Sequence, residues 1–150
     1  MTDQPAAVDI SRLFDAPRER VFAAWSAAER IARWFSPEGC SVPQAEIDFR
    51  AGGVFAVTMR LPDGSDSLCR GAFEEVTPPA RLVFAMDVAM QGKARFRVRT
   101  AVDFAAQGDR TLMTVNQSYE LFDSDYAGAP AGAREGWRTT LDKLARALVE

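Results

Sequence analysis

Hydrophobic residues recur at helical spacing at the end of the chain, from Ala131 to Glu150. Trp137, Leu141, Leu144 and Leu148 stand four, three and four apart, which is one face of a helix. Arg134, Glu135, Arg138, Asp142, Lys143 and Arg146 fall mostly on the other side. Pro130 suits a first helical turn, where its missing N–H would go unpaired anyway. A helix of this size is about 30 Å long at about 1.5 Å per residue, and its apolar stripe requires a partner. Gly136 lies beside that stripe. A glycine inside a helix costs about 1 kcal/mol relative to alanine. That cost is explained if a neighbour packs too closely for a methyl group.

The chain before the helix alternates with period two. Val8 to Phe14 reads as a first strand, stopped by Asp15-Ala16-Pro17. Val21, Phe22 and Trp25 then mark a short helix opened by Pro17. Ser26-Ala27-Ala28-Glu29 has the capping-box pattern, so a second short helix is expected there, with Ile31, Trp34 and Phe35 buried. Six further strands follow. Pro43 is expected at the start of one in which Ala45, Ile47 and Phe49 alternate with Gln44, Glu46, Asp48 and Arg50. Phe55, Val57, Met59 and Leu61 alternate in the next, and Cys69, Gly71 and Phe73 share a face between Leu68 and Val76. Leu82, Phe84 and Met86 follow. Residues 87 to 94 read as an unpatterned loop. Phe96, Val98, Thr100, Val102 and Phe104 then alternate with Arg95, Arg97, Arg99 and Asp103. In the last strand, Thr111 to Tyr119, Met113, Val115 and Tyr119 share a face with Gln117. The turns are short enough for antiparallel neighbours. The expected architecture is α+β: a twisted antiparallel sheet of about seven strands wrapped on a long C-terminal helix, with two short helices after strand one.

Composition narrows the function classes. A chain of 150 residues fits one domain, 1–150, with a sizeable core. A net charge of −3 gives no basic footprint, so nucleic acid is not an expected partner. No apolar run approaches a membrane span, and Met1-Thr2-Asp3-Gln4-Pro5 does not read as a leader peptide, so a cytoplasmic protein without membrane association is expected. Cys40 and Cys69 have no metal-ligand spacing and read as free thiols. The absence of histidine removes Ser-His-Asp and Cys-His catalysis and the commonest metal ligand. No metal or cofactor is expected.

Several local motifs, in order along the chain, resemble one family. They are Ala16-Pro17-Arg18-Glu19-Arg20-Val21-Phe22, Trp34-Phe35, Asp48-Phe49-Arg50-Ala51-Gly52-Gly53, Pro62-Asp63-Gly64 and Gly71 followed by Phe73-Glu74-Glu75-Val76. Pro78-Pro79-Ala80-Arg81-Leu82-Val83-Phe84 and Gly136-Trp137 with Leu141-Asp142-Lys143-Leu144 complete the set. The sequence resembles the group named after the activator of heat-shock-protein-90 ATPase, within the START and Bet v 1-like proteins of the SRPBCC superfamily. The resemblance implies a helix-grip fold whose sheet and long helix enclose an apolar cavity, open toward the two short helices. The inward candidates for ligand binding are Trp34, Phe35, Phe55, Val57, Met59, Cys69, Gly71, Phe84, Met86, Phe96, Val98, Met113, Val115, Gln117, Trp137 and Leu141. Trp34 is expected at the entrance.

That candidate lining is almost wholly apolar, which weighs against catalysis and leaves no catalytic residue to name. The expected function is binding of a small hydrophobic or aromatic molecule. A cyclase- or dehydratase-type enzyme on a polyketide-like substrate is the first alternative, using water oriented by Gln117 or Tyr119. A cochaperone-like interaction is the second, although a chaperone partner is disfavoured because the eukaryotic cochaperones carry an additional N-terminal domain. Monomer and homodimer stay open. Outside the cavity, Asp48 and Arg50 read as a surface ion pair, and Arg95, Arg97 and Arg99 as a solvated outer face. Glu74 and Glu75 are neighbours on a strand and are expected on opposite faces.

Overall fold

The computed structural model describes residues 6–126 and 128–149. The N-terminal five residues and Glu150, at the expected end of the helix, lie outside them. Strand β1 (Ala6–Phe14) leads into helices α1 (Arg18–Ala23) and α2 (Ala28–Trp34). Six strands follow: β2 (Ser41–Ile47), β3 (Val54–Arg60), β4 (Asp66–Thr77), β5 (Arg81–Met90), β6 (Lys93–Gln107) and β7 (Arg110–Leu121). A single 3₁₀ turn (Ser124–Tyr126) precedes the long helix α3 (Ala129–Leu148). All seven strands join one antiparallel sheet in the order β1-β7-β6-β5-β4-β3-β2. This is the helix-grip architecture expected from the sequence.

The alternation of β6 and β7 decides which face turns inward. Phe96, Val98, Thr100, Val102 and Phe104 are buried, as are Thr111, Met113, Val115, Gln117 and Tyr119. Helix α3 lays Trp137, Leu141, Leu144 and Leu148 against the interior. It is tied to β1 and α1: Arg12 donates to Asp142 at 2.8 Å, Arg134 donates to the Asp9 carbonyl at 3.1 Å, and Arg20 of α1 donates to the Leu148 carbonyl. Aromatic rings fill the space between the helices and the sheet. Trp25 meets Trp34 edge-on at 4.8 Å and stacks toward Trp137 at 6.5 Å, and Phe55 stacks on Phe84 at 4.4 Å.

Four local expectations change. Residues 87 to 94 are not a loop. β5 continues through Val88 and Met90, and the chain reverses at Gln91-Gly92, with φ of 56° and 75°. Two successive positive φ values make a tight hairpin turn, which Gln-Gly signals more weakly than Asn-Gly. The capping box does not form. Ser26 donates instead to the Ala23 carbonyl at 2.6 Å, and extended Ala27 caps α2. Pro43 lies inside edge strand β2, at a register shift, where no ladder N–H is required of it.

Gly136 does meet a close neighbour, as expected. An added Cβ would lie 3.2 Å from Pro37 Cγ, in the α2–β2 connection. Glu74 and Glu75 are separated from ideal strand alternation by a bulge opposite β5. Glu74 pairs with Arg99 and Glu75 with Arg81, both on the outer surface.

Two substitutions test this packing. Leu141→Ala, at a fully buried position, is expected to lose about 2–5 kcal/mol in urea denaturation. Gly71→Ala is expected to unfold at lower denaturant than the native chain, because its Cβ would fall 1.7 Å from the Ala85 carbonyl oxygen across the β4–β5 ladder.

Candidate ligand cavity

The N-terminal half of α3 crosses the sheet without filling the space beneath it. A cavity of about 230 Å³ remains there. Met59 and Leu61 at the end of β3, Ser67 and Cys69 on β4, and Met86, Val88 and Met90 on β5 form one wall. Phe96 and Val98 on β6, with Gln117 and Tyr119 on β7, form the next. Gly132, Ala133, Gly136, Trp137 and Thr140 of α3 close it from above, and Phe35, Ser36 and Pro37 close one end. Gly132 is exposed, and Leu61, Met90 and Pro37 are half-buried, so the mouth lies between the start of α3, the two hairpin ends and the α2–β2 connection.

Of the sixteen residues expected to face a ligand, Phe35, Met59, Cys69, Met86, Phe96, Val98, Gln117 and Trp137 line this space. Trp34, Phe55, Val57, Phe84, Met113, Val115 and Leu141 are buried in the solid part of the core. Trp34 is not at an entrance: it is 1% exposed, and its indole N–H donates to the Ala24 carbonyl at 3.1 Å. Gly71 does not line the cavity either. Its missing side chain serves the close approach of β5.

The sequence reading did not place Tyr119, Val88 or Met90 in the lining. Tyr119 shares the alternation of Gln117, and the other two fall in the stretch read as a loop. Ser36, Pro37, Gly132, Ala133 and Thr140 carry no apolar signal that could have marked them.

Among the described residues, no charged side chain lines the cavity. Its polar groups are neutral, and the two on β7 are linked. Tyr119 donates its hydroxyl to Gln117 Oε1 at 2.9 Å, and Gln117 Nε2 donates to Thr100 Oγ1 at 3.0 Å. Gln117 therefore bonds to two side chains, not to local backbone. Ser67 Oγ lies 3.9 Å from Cys69 Sγ. Burial pushes the Cys69 thiol up to about 11. Burial, with the nearby Cys69 second, also raises the Tyr119 phenol. Neither group ionises near neutral pH, so the cavity offers neither a thiolate nor a phenolate.

The loop at the mouth is held by a cation. Lys143 Nζ donates to Ser36 Oγ, Pro37 O and Cys40 O, each at 3.0 Å, and the Glu38 amide donates to Thr139 Oγ1 at 3.0 Å. Three neutral acceptors use all three ammonium hydrogens. Among the described residues, no group of three cysteines or carboxylates could hold a metal ion. No helix of the described residues is long and apolar enough to cross a membrane.

A seven-stranded grip around one long helix, hollow under the helix, defines a START-like domain. The chain belongs to the family of Activator of Hsp90 ATPase homolog 1-like proteins, whose model matches residues 15–149. None of the curated proteins compared matches it. Among solved structures it is similar to a protein of Chromobacterium violaceum, at 23% identity over 95% of this chain and 96% of that one, with a TM-score of 0.84. A protein of Rhizobium leguminosarum shares 28% identity over 95% of this chain and 93% of that one, also with a TM-score of 0.84. The AHSA1 protein of Silicibacter pomeroyi shares 24% over 96% and 98%, with a TM-score of 0.81. The likenesses below 25% identity establish the fold.

The raised acids have a consequence for stability. The folded chain keeps protons on Cys69 and Tyr119 that the unfolded chain releases, so unfolding is favoured as pH rises. Their contribution is complete below pH 9.0, the ordinary thiol value, and for Cys69 is lost as pH climbs to about 11. The expected slope is at most about 1.4 kcal/mol per pH unit for each group. Burial also raises the Cys40 thiol, so in urea denaturation across this range Cys69→Ala should reduce the loss between pH 9.0 and about 11 without abolishing it.

Proposed function

We propose that the protein binds a small, uncharged hydrophobic or aromatic molecule in the cavity beneath α3. The observation that carries this reading is an apolar hollow of about 230 Å³ with only a few polar groups in its walls. An engineered cavity of about 150 Å³ takes up benzene. The larger volume here suits a fused two-ring compound. Mostly apolar walls with a few placed polar groups are the usual make-up of a small-molecule site.

Binding is favoured over a cyclase or dehydratase role. Such an enzyme would need Tyr119 or Gln117 to move a proton or orient water. The Tyr119 proton is already given to Gln117, and burial keeps the phenol neutral. The proposal requires no nucleic acid, membrane or chaperone partner. Cys40 and Cys69 are free thiols, which accords with a cytoplasmic location.

The test is a titration with naphthalene and its alkyl derivatives, read by tryptophan fluorescence and calorimetry. Trp137 touches the cavity and is the expected reporter, with Trp25 stacked behind it. One-to-one binding with quenching and a negative heat-capacity change is expected. Val98→Phe places a larger side chain in the wall and should weaken binding at least tenfold while the circular dichroism stays native. Absence of binding to the native chain, or equal binding by both proteins, would overturn the proposal.

A further inference from the structure

We infer that the occupant of the cavity carries a hydrogen-bond donor, a neutral hydroxyl or N–H, which it gives to the oxygen of Tyr119. This rests on the binding function proposed above and adds the chemical class of the ligand. The argument follows from the direction of the hydrogen bonds. A glutamine amide has two unlike ends: its oxygen only accepts and its nitrogen only donates. Thr100, fully buried behind the lining, takes the N–H of Gln117 at 3.0 Å. That leaves Gln117 Oε1 turned to Tyr119, which donates to it at 2.9 Å.

The only hydrogen of the tyrosine hydroxyl is therefore spent inside the protein. Its oxygen retains lone pairs, and Tyr119 lines the cavity. A ligand group placed there is met by an acceptor. A carbonyl or ether oxygen placed at that oxygen would set two acceptors against each other with no hydrogen between them.

Charge excludes the other polar classes. Among the described residues no cation lines the cavity, so a carboxylate or phenolate would lose its hydration without a partner. No carboxylate lines it either, so an ammonium group is equally unmatched. The class that matches the Tyr119 oxygen is an apolar body bearing a neutral donor, such as a phenol, an alcohol or an indole-type N–H.

The experiment is equilibrium dialysis at pH 7 with 2-naphthol, 2-methoxynaphthalene and naphthalene against the native chain and Tyr119→Phe. Naphthol and its methyl ether share a ring system and differ in the donor. The native chain is expected to prefer naphthol over the ether about tenfold, the scale of one net hydrogen bond. In Tyr119→Phe that ratio should fall toward one. If all three probes bind the native chain equally, or the ether binds best, the donor inference is overturned while cavity binding stands. If none binds, the binding function falls and the donor inference falls with it. The ratio on the native chain decides the matter even where Tyr119→Phe does not fold. With a folded variant, an unchanged ratio also overturns the assignment to Tyr119.

Discussion

One helix has to cover a sheet much wider than itself. Seven strands set about 4.8 Å apart span roughly 29 Å between the outer two, while a helix with its side chains is only about 10–12 Å across. The apolar stripe of α3 cannot seal that width. Beside the hollow the deficit is met by α1, α2 and a stack of rings built on Trp25, Phe35, Phe55 and Phe84, which meets α3 at Trp137. Packing dominates there to the extent that Trp25 Nε1 is buried without a hydrogen-bond partner. Under the N-terminal half, α3 presents Gly132, Ala133 and Gly136, which have little or no side chain to reach the sheet. The hollow is what this width leaves over.

Leaving it unfilled has a stability cost. A sealed void of 230 Å³ would cost on the order of 5 kcal/mol at about 24 cal/mol per Å³. The mouth lowers that figure by admitting water. The surroundings offset part of the rest: Lys143 fastens the α2–β2 connection to α3, and Pro37 rests against Gly136. The same connection supplies Ser36 and Pro37 to the rim, so the fastening that steadies the fold also shapes the way in.

The fold was legible because period and spacing are properties of one chain segment. The stripe from Trp137 to Leu148 and the alternation of Phe96 to Phe104 need no neighbour to be read. The cavity was legible only in half, because alternation tells which way a side chain points and not what it meets. Phe84 and Met86 point the same way from one strand, yet Phe84 ends against Phe55 and Met86 ends in open space. What decides between them is the layer overhead, which lies far away in sequence. Thr100 shows the same limit. It alternates inward as expected, but its part in orienting Gln117 depends on register with β7, where the two stand directly opposite. Gln91-Gly92 was missed for a different reason: a reversal can be made by residues that advertise it poorly.

The outer face of the sheet adds a kinetic property. Its arginines are matched strand to strand, Arg97 with Asp87 at 2.7 Å, Arg99 with Glu74 at 3.0 Å, Arg81 with Asp103 at 2.7 Å and Arg60 with Asp66 at 2.9 Å. Opposite charges this close cancel within a few ångströms, so beyond a Debye length of about 8 Å little field is left to reach into solution. A neutral molecule has no charge for such a field to act on in any case. Its arrival at the mouth is then governed by diffusion and collision geometry alone, and the encounter rate should be nearly the same in dilute buffer as in molar salt.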